Sequence, residues 1–113
     1  MSRTLCLTRQ CLGLVTRIEC VILPLAGDNG LWTLICAAGI SGTQPSAIRA
    51  QGPFHGPFVA ESVMASIADC LGELGYCPCE EPMTWRLHQQ AELRRLNQTR
   101  GRTLGNCLSR PDS

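Results

Sequence analysis

Hydrophobic and polar side chains alternate along the first half of the chain with the period of two that is typical of β-strands. Residues 16–24 and residues 31–40 are the two clearest runs, and the Gly-Asp-Asn-Gly segment at 27–30 separates them. A turn of that composition between two β-rich runs predicts a hairpin. Both runs are so apolar that we expect much of each strand to be buried on two sides. In the first run, Ile18, Cys20 and Ile22 alternate with Arg17, Glu19 and Val21.

A third, shorter strand is predicted over residues 46–51. It should end there, because two Gly-Pro steps interrupt the residues that follow, 52–58. The pattern therefore predicts a sheet of about three strands.

The second half of the chain has the period of α-helices. Residues 59–74 predict an amphipathic helix that ends at Gly75, since glycine suits the left-handed conformation after a helix. Its apolar face contains Val63, Ile67, Leu71 and Leu74. A second helix is predicted over residues 82–97, where Pro82 fits the first turn. The order of elements predicts an α+β fold, with a small antiparallel sheet of about three strands and two helices packed on one face.

The length of 113 residues fits one domain. We predict a single α+β domain over residues 1–97, in which residues 1–15 fit an arm, a short helix or a first strand equally well. Residues 98–113 are polar and have no sustained period, so they predict a flexible polar tail.

The second predicted helix has two apolar sides. At roughly 100° per residue, its apolar residues fall on two nearly opposite stripes. The stripes are Met83, Leu87 and Ala91 on one side, and Trp85, Leu93 and Leu96 on the other. A surface helix in a small monomer needs one apolar stripe, facing its own core. Whichever way the helix rolls, one stripe is left for another molecule.

The remaining stripe predicts a protein-binding surface. The centres of protein interfaces are enriched in Trp, Met and Arg. We expect the contact residues to be Met83, Trp85, Arg86, Leu87, Leu93 and Leu96. The occupant would be a partner protein or a second copy in a two-fold homodimer. On this interpretation Trp85→Ala should abolish association and leave the fold intact.

Composition agrees with an association surface. Hydrophobic residues make up 44% of the chain and charged residues only 17%, which is a sparse charged cover for a small domain. The net charge of +1 gives no electrostatic argument for direct binding to nucleic acid or to a membrane. No segment reaches the apolar length of a membrane span.

The eight cysteines are compatible with a cytoplasmic protein. The N-terminal segment does not resemble a signal peptide, because Arg9 and Gln10 interrupt its apolar run. Cys20, Cys36 and Cys70 occupy positions where a buried hydrophobic residue is expected. We therefore predict a cytoplasmic protein with reduced thiols.

Cys77 and Cys79 raise the alternative of a small metal- or thiol-dependent protein. Their spacing is shorter than the Cys-x2–4-Cys of zinc sites, and no second ligand pair exists, so we predict no metal. No catalytic residue is predicted either, because neither His55 nor His88 has a nucleophile and an acid at a recognisable spacing. Glycine-rich phosphate loops are absent from the sequence, and no cofactor is expected.

Four arginines near the end of the second helix raise a further alternative, a nucleic-acid-binding regulator. They are Arg94, Arg95, Arg100 and Arg102. Cations at this position complement the negative end of a helix dipole. Stacking aromatics and a basic excess are lacking. The dipole explanation is therefore favoured.

The whole chain also resembles small cytoplasmic proteins of pseudomonads. The similarity lies in the absence of lysine, the segment GPFHGPF before a helix, and the segment EEPMTWRLHQQAELRRLN at 80–97. In size and character it is similar to the QslA-type quorum-sensing anti-activators. The resemblance implies a non-enzymatic regulator that binds a LuxR-type transcription factor and blocks its dimerisation and DNA binding. It supplies no binding residues, so the interface residues named above rest on the helix pattern alone.

Overall fold

The computed structural model describes residues 3–27 and 30–109, with side chains as far as Thr99. Within this part of the chain the fold is α+β, with a five-stranded antiparallel sheet and two helices. The elements are β1 (Thr4–Cys11), β2 (Leu14–Pro24), β3 (Leu31–Ile40), β4 (Ala47–His55), α1 (Pro57–Glu73), β5 (Cys77–Pro78) and α2 (Arg86–Ser109). The strand order across the sheet is β4-β3-β2-β1-β5.

The predicted hairpin is confirmed as β2 and β3, which pair from Thr16–Ile40 to Pro24–Trp32. The two central residues of its predicted turn, 28 and 29, lie outside the described residues. The sheet has five strands where about three were expected, because a strand was only one of three alternatives for residues 1–15, and β5 was not predicted. β1 returns into β2 through Leu12 and Gly13, both with positive φ, as a tight hairpin turn requires. Leucine is rare in that conformation, so the sequence carries no usual turn signature there.

β4 is longer than predicted and continues through Gly52 and Pro53 to His55. A proline lacks the N–H that a central strand needs, but β4 is at the edge of the sheet, where that loss is tolerated. Gly52 adopts a φ of 127°, and a Cβ there would lie 3.1 Å from the Trp32 carbonyl oxygen. Glycine therefore allows the strand to pass close to β3 at an irregularity in the register.

The two helices lie on opposite faces of the sheet, so the prediction that both pack on one face is wrong. The cluster beneath α1 consists of Cys20, Ile22, Leu34, Ala60 and Met64. The start of α2 contacts the side chain of Glu19, which points away from that of Cys20 because neighbouring strand residues face opposite sides. On the α2 face, Val21, Ile35 and Ala37 are also buried. Strands with apolar residues on both sides need a layer on each face.

The helix boundaries also differ from the predicted ones. α1 begins at Pro57, and Leu74 and Cys70, both expected to be buried, are exposed. α2 begins at Arg86 and continues to Ser109, beyond the predicted end at Asn97. The division into a domain over 1–97 and a flexible tail over 98–113 stays a prediction. Among the described residues, neither helix has the length and apolarity needed to cross a bilayer.

Candidate functional site

α2 presents one side to the sheet and the other to solvent. Trp85 and Gln89 are buried, and Leu93 and Leu96 are half-buried along the same side. We call the opposite side the outer flank of α2. It consists of the exposed residues Arg86, Leu87, Ala91 and Arg94. The helix therefore has an inner side that its own fold covers and an outer flank that it does not.

The six residues predicted to bind a partner divide between these two sides. Trp85 is only 3% exposed, whereas Leu87 is 83% exposed. Of the others, Arg86 is exposed, and Met83, Leu93 and Leu96 are half-buried. The buried indole of Trp85 belongs to the interior of the subunit, so the prediction that Trp85 contacts a partner is not supported by its position. Leu87 is the predicted apolar contact residue that the fold leaves most exposed.

A carboxylate from the sheet caps the start of α2. Glu19 on β2 is fully buried, and its two oxygens accept hydrogen bonds from the backbone N–H groups of Thr84 and Trp85 at 2.9–3.1 Å. The Thr84 hydroxyl donates a further bond at 2.8 Å. The helix begins here, since the Gln89 N–H donates to the Trp85 carbonyl oxygen. A negative group at a helix N-terminus satisfies free N–H groups and complements the dipole.

Arg17 balances the charge of that buried carboxylate. It lies two residues before Glu19 on the same face of β2, and it is 2% exposed. Its guanidinium donates to Glu19 Oε2 at 3.1 Å and also pairs with Glu81. The Nε group donates to the Ser41 hydroxyl oxygen at 3.3 Å. A buried charge is tolerated when it is paired and hydrogen-bonded in this way.

Two further side chains attach α2 to the sheet through polar contacts. The amide of Gln89, 1% exposed, donates to the carbonyl oxygen of Glu19 at 2.9 Å. The indole N–H of Trp85 donates to the carbonyl oxygen of Thr43 at 2.9 Å. Because hydrogen bonds need fixed geometry, these contacts set the rotation of α2 about its axis. They therefore determine which residues form the outer flank.

Sequence reasoning missed Arg17, Glu19 and Gln89 as determinants of this site. The pattern of β2 did contain a signal, since two opposite charges on one face of a strand otherwise rich in Val, Ile and Leu need a buried partner or a solvated face. Burial of this strand on two sides was expected, but its charged pair was not connected with the second helix. The contact between Glu19 and the start of α2 depends on the path of the chain after Glu81, and the period of the sequence does not show that path.

The cysteines of the predicted Cys77/Cys79 pair have different surroundings. The Cys77 thiol is exposed, and its nearest polar contact is the Gly75 carbonyl oxygen at 4.0 Å. Cys79 is half-buried and donates to Glu81 Oε1 at 3.4 Å. Within the described ranges no three His, Cys, Asp or Glu side chains are grouped so as to hold a metal ion.

Cys6 is the closest thiol to the buried charges. The Arg17 guanidinium donates to its sulfur at 3.0 Å. Burial raises the pKa of the Cys6 thiol to about 11, the hydrogen bond with Cys79 adds to the rise, and the charge of Arg17 opposes it. Cys6 is therefore mainly a neutral thiol at neutral pH.

The arginines expected at the end of the second helix lie instead within α2, which continues to Ser109, so a complement to the negative end of the helix dipole does not explain them. Arg94 and Arg95 are exposed, and the guanidinium of Arg95 is paired with the carboxylate of Glu92, one turn earlier. This pairing lowers the pKa of Glu92. The side chains of Arg100 and Arg102 lie outside the described part of the chain. A nucleic-acid surface formed by this cluster stays an alternative, and the absence of direct nucleic-acid binding stays the prediction.

Comparison with known proteins places the chain in one family. No curated protein and no solved structure matches it. The profile of the PA4575-like protein family matches residues 1–113, which is the whole chain. The resemblance to QslA-type anti-activators is not among these matches and stays a prediction. The chain belongs to the PA4575-like protein family.

Proposed function

We propose that this protein acts by binding another protein through the outer flank of α2, without catalysis. The observation that carries the proposal is the 83% exposure of Leu87 on a helix whose other side is already packed against the sheet. Arginine is enriched at interface centres, and the exposed leucine adds apolar surface beside the arginines of this flank. The proposed site is therefore Leu87 and Ala91, flanked by Arg86 and Arg94.

The polar anchor of α2 supports this proposal. Glu19 and Gln89 hold the first turns of the helix in one rotation through hydrogen bonds of 2.9–3.1 Å. A binding surface on a fixed helix loses less conformational freedom on association than one on a mobile segment. The outer flank is thus pre-organised as one face of a helix-against-helix contact.

The resemblance to quorum-sensing anti-activators supplies the chemistry of the partner. On this proposal the partner is a LuxR-type transcription factor in the cytoplasm. Covering its dimerisation surface with the outer flank would stop it from forming the dimer that engages DNA. A second copy of the chain, in a two-fold homodimer, is the competing occupant of the same flank.

We expect Leu87→Glu to weaken binding to a LuxR-type regulator from the same genome by about 100-fold, because about 3 kcal/mol of leucine burial is lost. A carboxylate in the apolar centre of the contact adds a desolvation cost. The measurement is a titration of the purified regulator, together with its DNA binding in the presence of each variant. The thermal midpoint should remain unchanged, since Leu87 makes little contact with its own fold.

The matched control is Leu74→Glu, which places the same charge at an exposed leucine just after α1. This variant should bind the regulator, and prevent the regulator from binding DNA, as the parent protein does. Size-exclusion chromatography of both variants separates the two occupants: loss of a dimer in Leu87→Glu alone would assign the flank to self-association. Equal binding by Leu87→Glu and the parent protein would refute the proposed site.

A further inference from the structure

Cys6 and Cys79 are directly opposite each other on neighbouring antiparallel backbones. The Cys79 N–H donates to the Cys6 carbonyl oxygen at 2.9 Å. This continues the register in which Leu7 pairs with Pro78 and Thr8 with Cys77. The Cα atoms of such a hydrogen-bonded pair are about 5.5 Å apart, which is in the middle of the range that disulfides span.

Cys77 is less well placed as a partner for Cys79. The two follow each other along one extended segment, and a rise of about 3.3 Å per residue separates their Cα atoms by about 6.6 Å. That distance is at the upper end of the disulfide range. The Cys77 thiol is also directed to the Gly75 carbonyl oxygen. The backbone therefore favours Cys6 over Cys77 as the partner of Cys79.

The surroundings give the two thiols different roles. Cys79 contacts Glu81, whose side chain is 68% exposed, so this end of the pair is open to small molecules in solution. Cys6 lies at the buried end, 3.0 Å from the Arg17 guanidinium. The charge of Arg17 opposes the rise in pKa that burial causes at Cys6, and so favours the thiolate that must form before this cysteine can attack. Cys79 is placed to react first and Cys6 second.

We propose that Cys6 and Cys79 form a modification site that closes to a disulfide by exchange with a small-molecule disulfide of the glutathione type. The Cys79 thiolate attacks one sulfur of the small disulfide, whose S–S bond breaks and releases one small thiolate. The Cys6 thiolate then attacks the Cys79 sulfur, and the mixed disulfide breaks to release the second. The two protons lost by the cysteines pass to the two released thiolates. The protein is oxidised by two electrons, and the small disulfide is reduced to two thiols.

The position of this pair ties it to the anchor of α2. Arg17 donates to the Cys6 sulfur and to Glu19 Oε2 from the same Nη1 nitrogen. When Cys6 becomes part of a disulfide it can no longer form a thiolate beside Arg17, whose remaining partners are Glu19, Glu81 and the Ser41 hydroxyl. The proposal does not depend on the binding function of the outer flank.

The test is to equilibrate the full chain in buffers of reduced and oxidised glutathione, block free thiols by alkylation, and map peptides by mass spectrometry. Cleavage after both arginine and glutamate separates Cys70 from Cys79. We expect a peptide linked through Cys6 and Cys79, with loss of alkylation at both, and full return of both thiols on reduction.

Cys77→Ser is the matched control, since it removes the neighbouring exposed thiol and leaves the pair intact. The disulfide between Cys6 and Cys79 should still form in this variant. It should be lost in Cys79→Ser, where Cys6 should be fully alkylated. A wild-type chain in which both thiols stay alkylatable under oxidised glutathione would overturn the proposal, whatever the variants do. A Cys77–Cys79 disulfide in its place would overturn it equally.

Discussion

Glu19→Ala is expected to lower the free energy of unfolding by about 3–5 kcal/mol, because removing one partner of a buried ion pair takes away the only buried counter-charge that the structure describes for the other. Arg17 would keep Glu81 as its remaining carboxylate, and Glu81 is largely exposed. The backbone N–H groups of Thr84 and Trp85 would also lose their acceptor. Equilibrium unfolding in urea, followed by circular dichroism, measures the change.

Glu92→Ala is the control for the loss of a carboxylate. Glu92 pairs with Arg95 at the protein surface, where such pairs contribute about 1 kcal/mol or less. Glu19→Gln should be intermediate, because its amide oxygen can still accept a hydrogen bond from the start of α2. Equal stability of the Glu19→Ala and Glu92→Ala variants would show that Glu19 does not anchor the helix.

Trp85→Ala is expected to cost about 3–5 kcal/mol of stability, the range for removing a buried aromatic side chain. The indole is 3% exposed, and its N–H is bonded to the Thr43 carbonyl oxygen, which would lose that donor. The sequence pattern alone had led us to expect that this substitution would spare the fold and remove only association. Its burial reverses that expectation, and any loss of binding in this variant would reflect unfolding.

Leu87→Ala, two residues further along, is the natural comparison for Trp85→Ala. It truncates a side chain that is 83% exposed, and surface substitutions of this kind usually change stability by less than about 0.5 kcal/mol. Thermal and urea unfolding of the two variants should therefore differ by several kcal/mol. Similar losses of stability in the two variants would mean that the side chain of Trp85 is not packed against the sheet.

The elements that the sequence predicted well are those whose pattern is local and continuous. The hairpin of β2 and β3 follows from two apolar runs around a turn, and α1 follows from one apolar face and a terminal glycine. The two sides of α2 were also correctly separated, with Leu87 and Ala91 on the side away from Trp85. Period and spacing are sufficient for such features because they depend on neighbouring residues only.

Long-range features could not be predicted in the same way. β5 has only two residues and pairs with β1 across more than sixty positions of sequence, which no local pattern shows. We expected β2 and β3 to be buried on both sides. That expectation requires a covering layer on each face of the sheet, so it is inconsistent with the prediction that both helices pack on one face. The capping of α2 by Glu19 depends on how the chain returns after β5, so the roles of Arg17, Glu19 and Gln89 follow from the tertiary structure alone.

On this account, Trp85 at the start of α2 is buried in the protein's own fold, whereas Leu87 is exposed and binds a partner. Hydroxyl-radical footprinting of the free chain and of its complex with the LuxR-type regulator tests it most directly, since labelling of each side chain reports its exposure. We predict that Leu87 is labelled in the free chain and protected in the complex, while Trp85 stays protected in both. Rapid labelling of Trp85 in the folded free chain, or equal labelling of Leu87 in the two samples, would contradict the account.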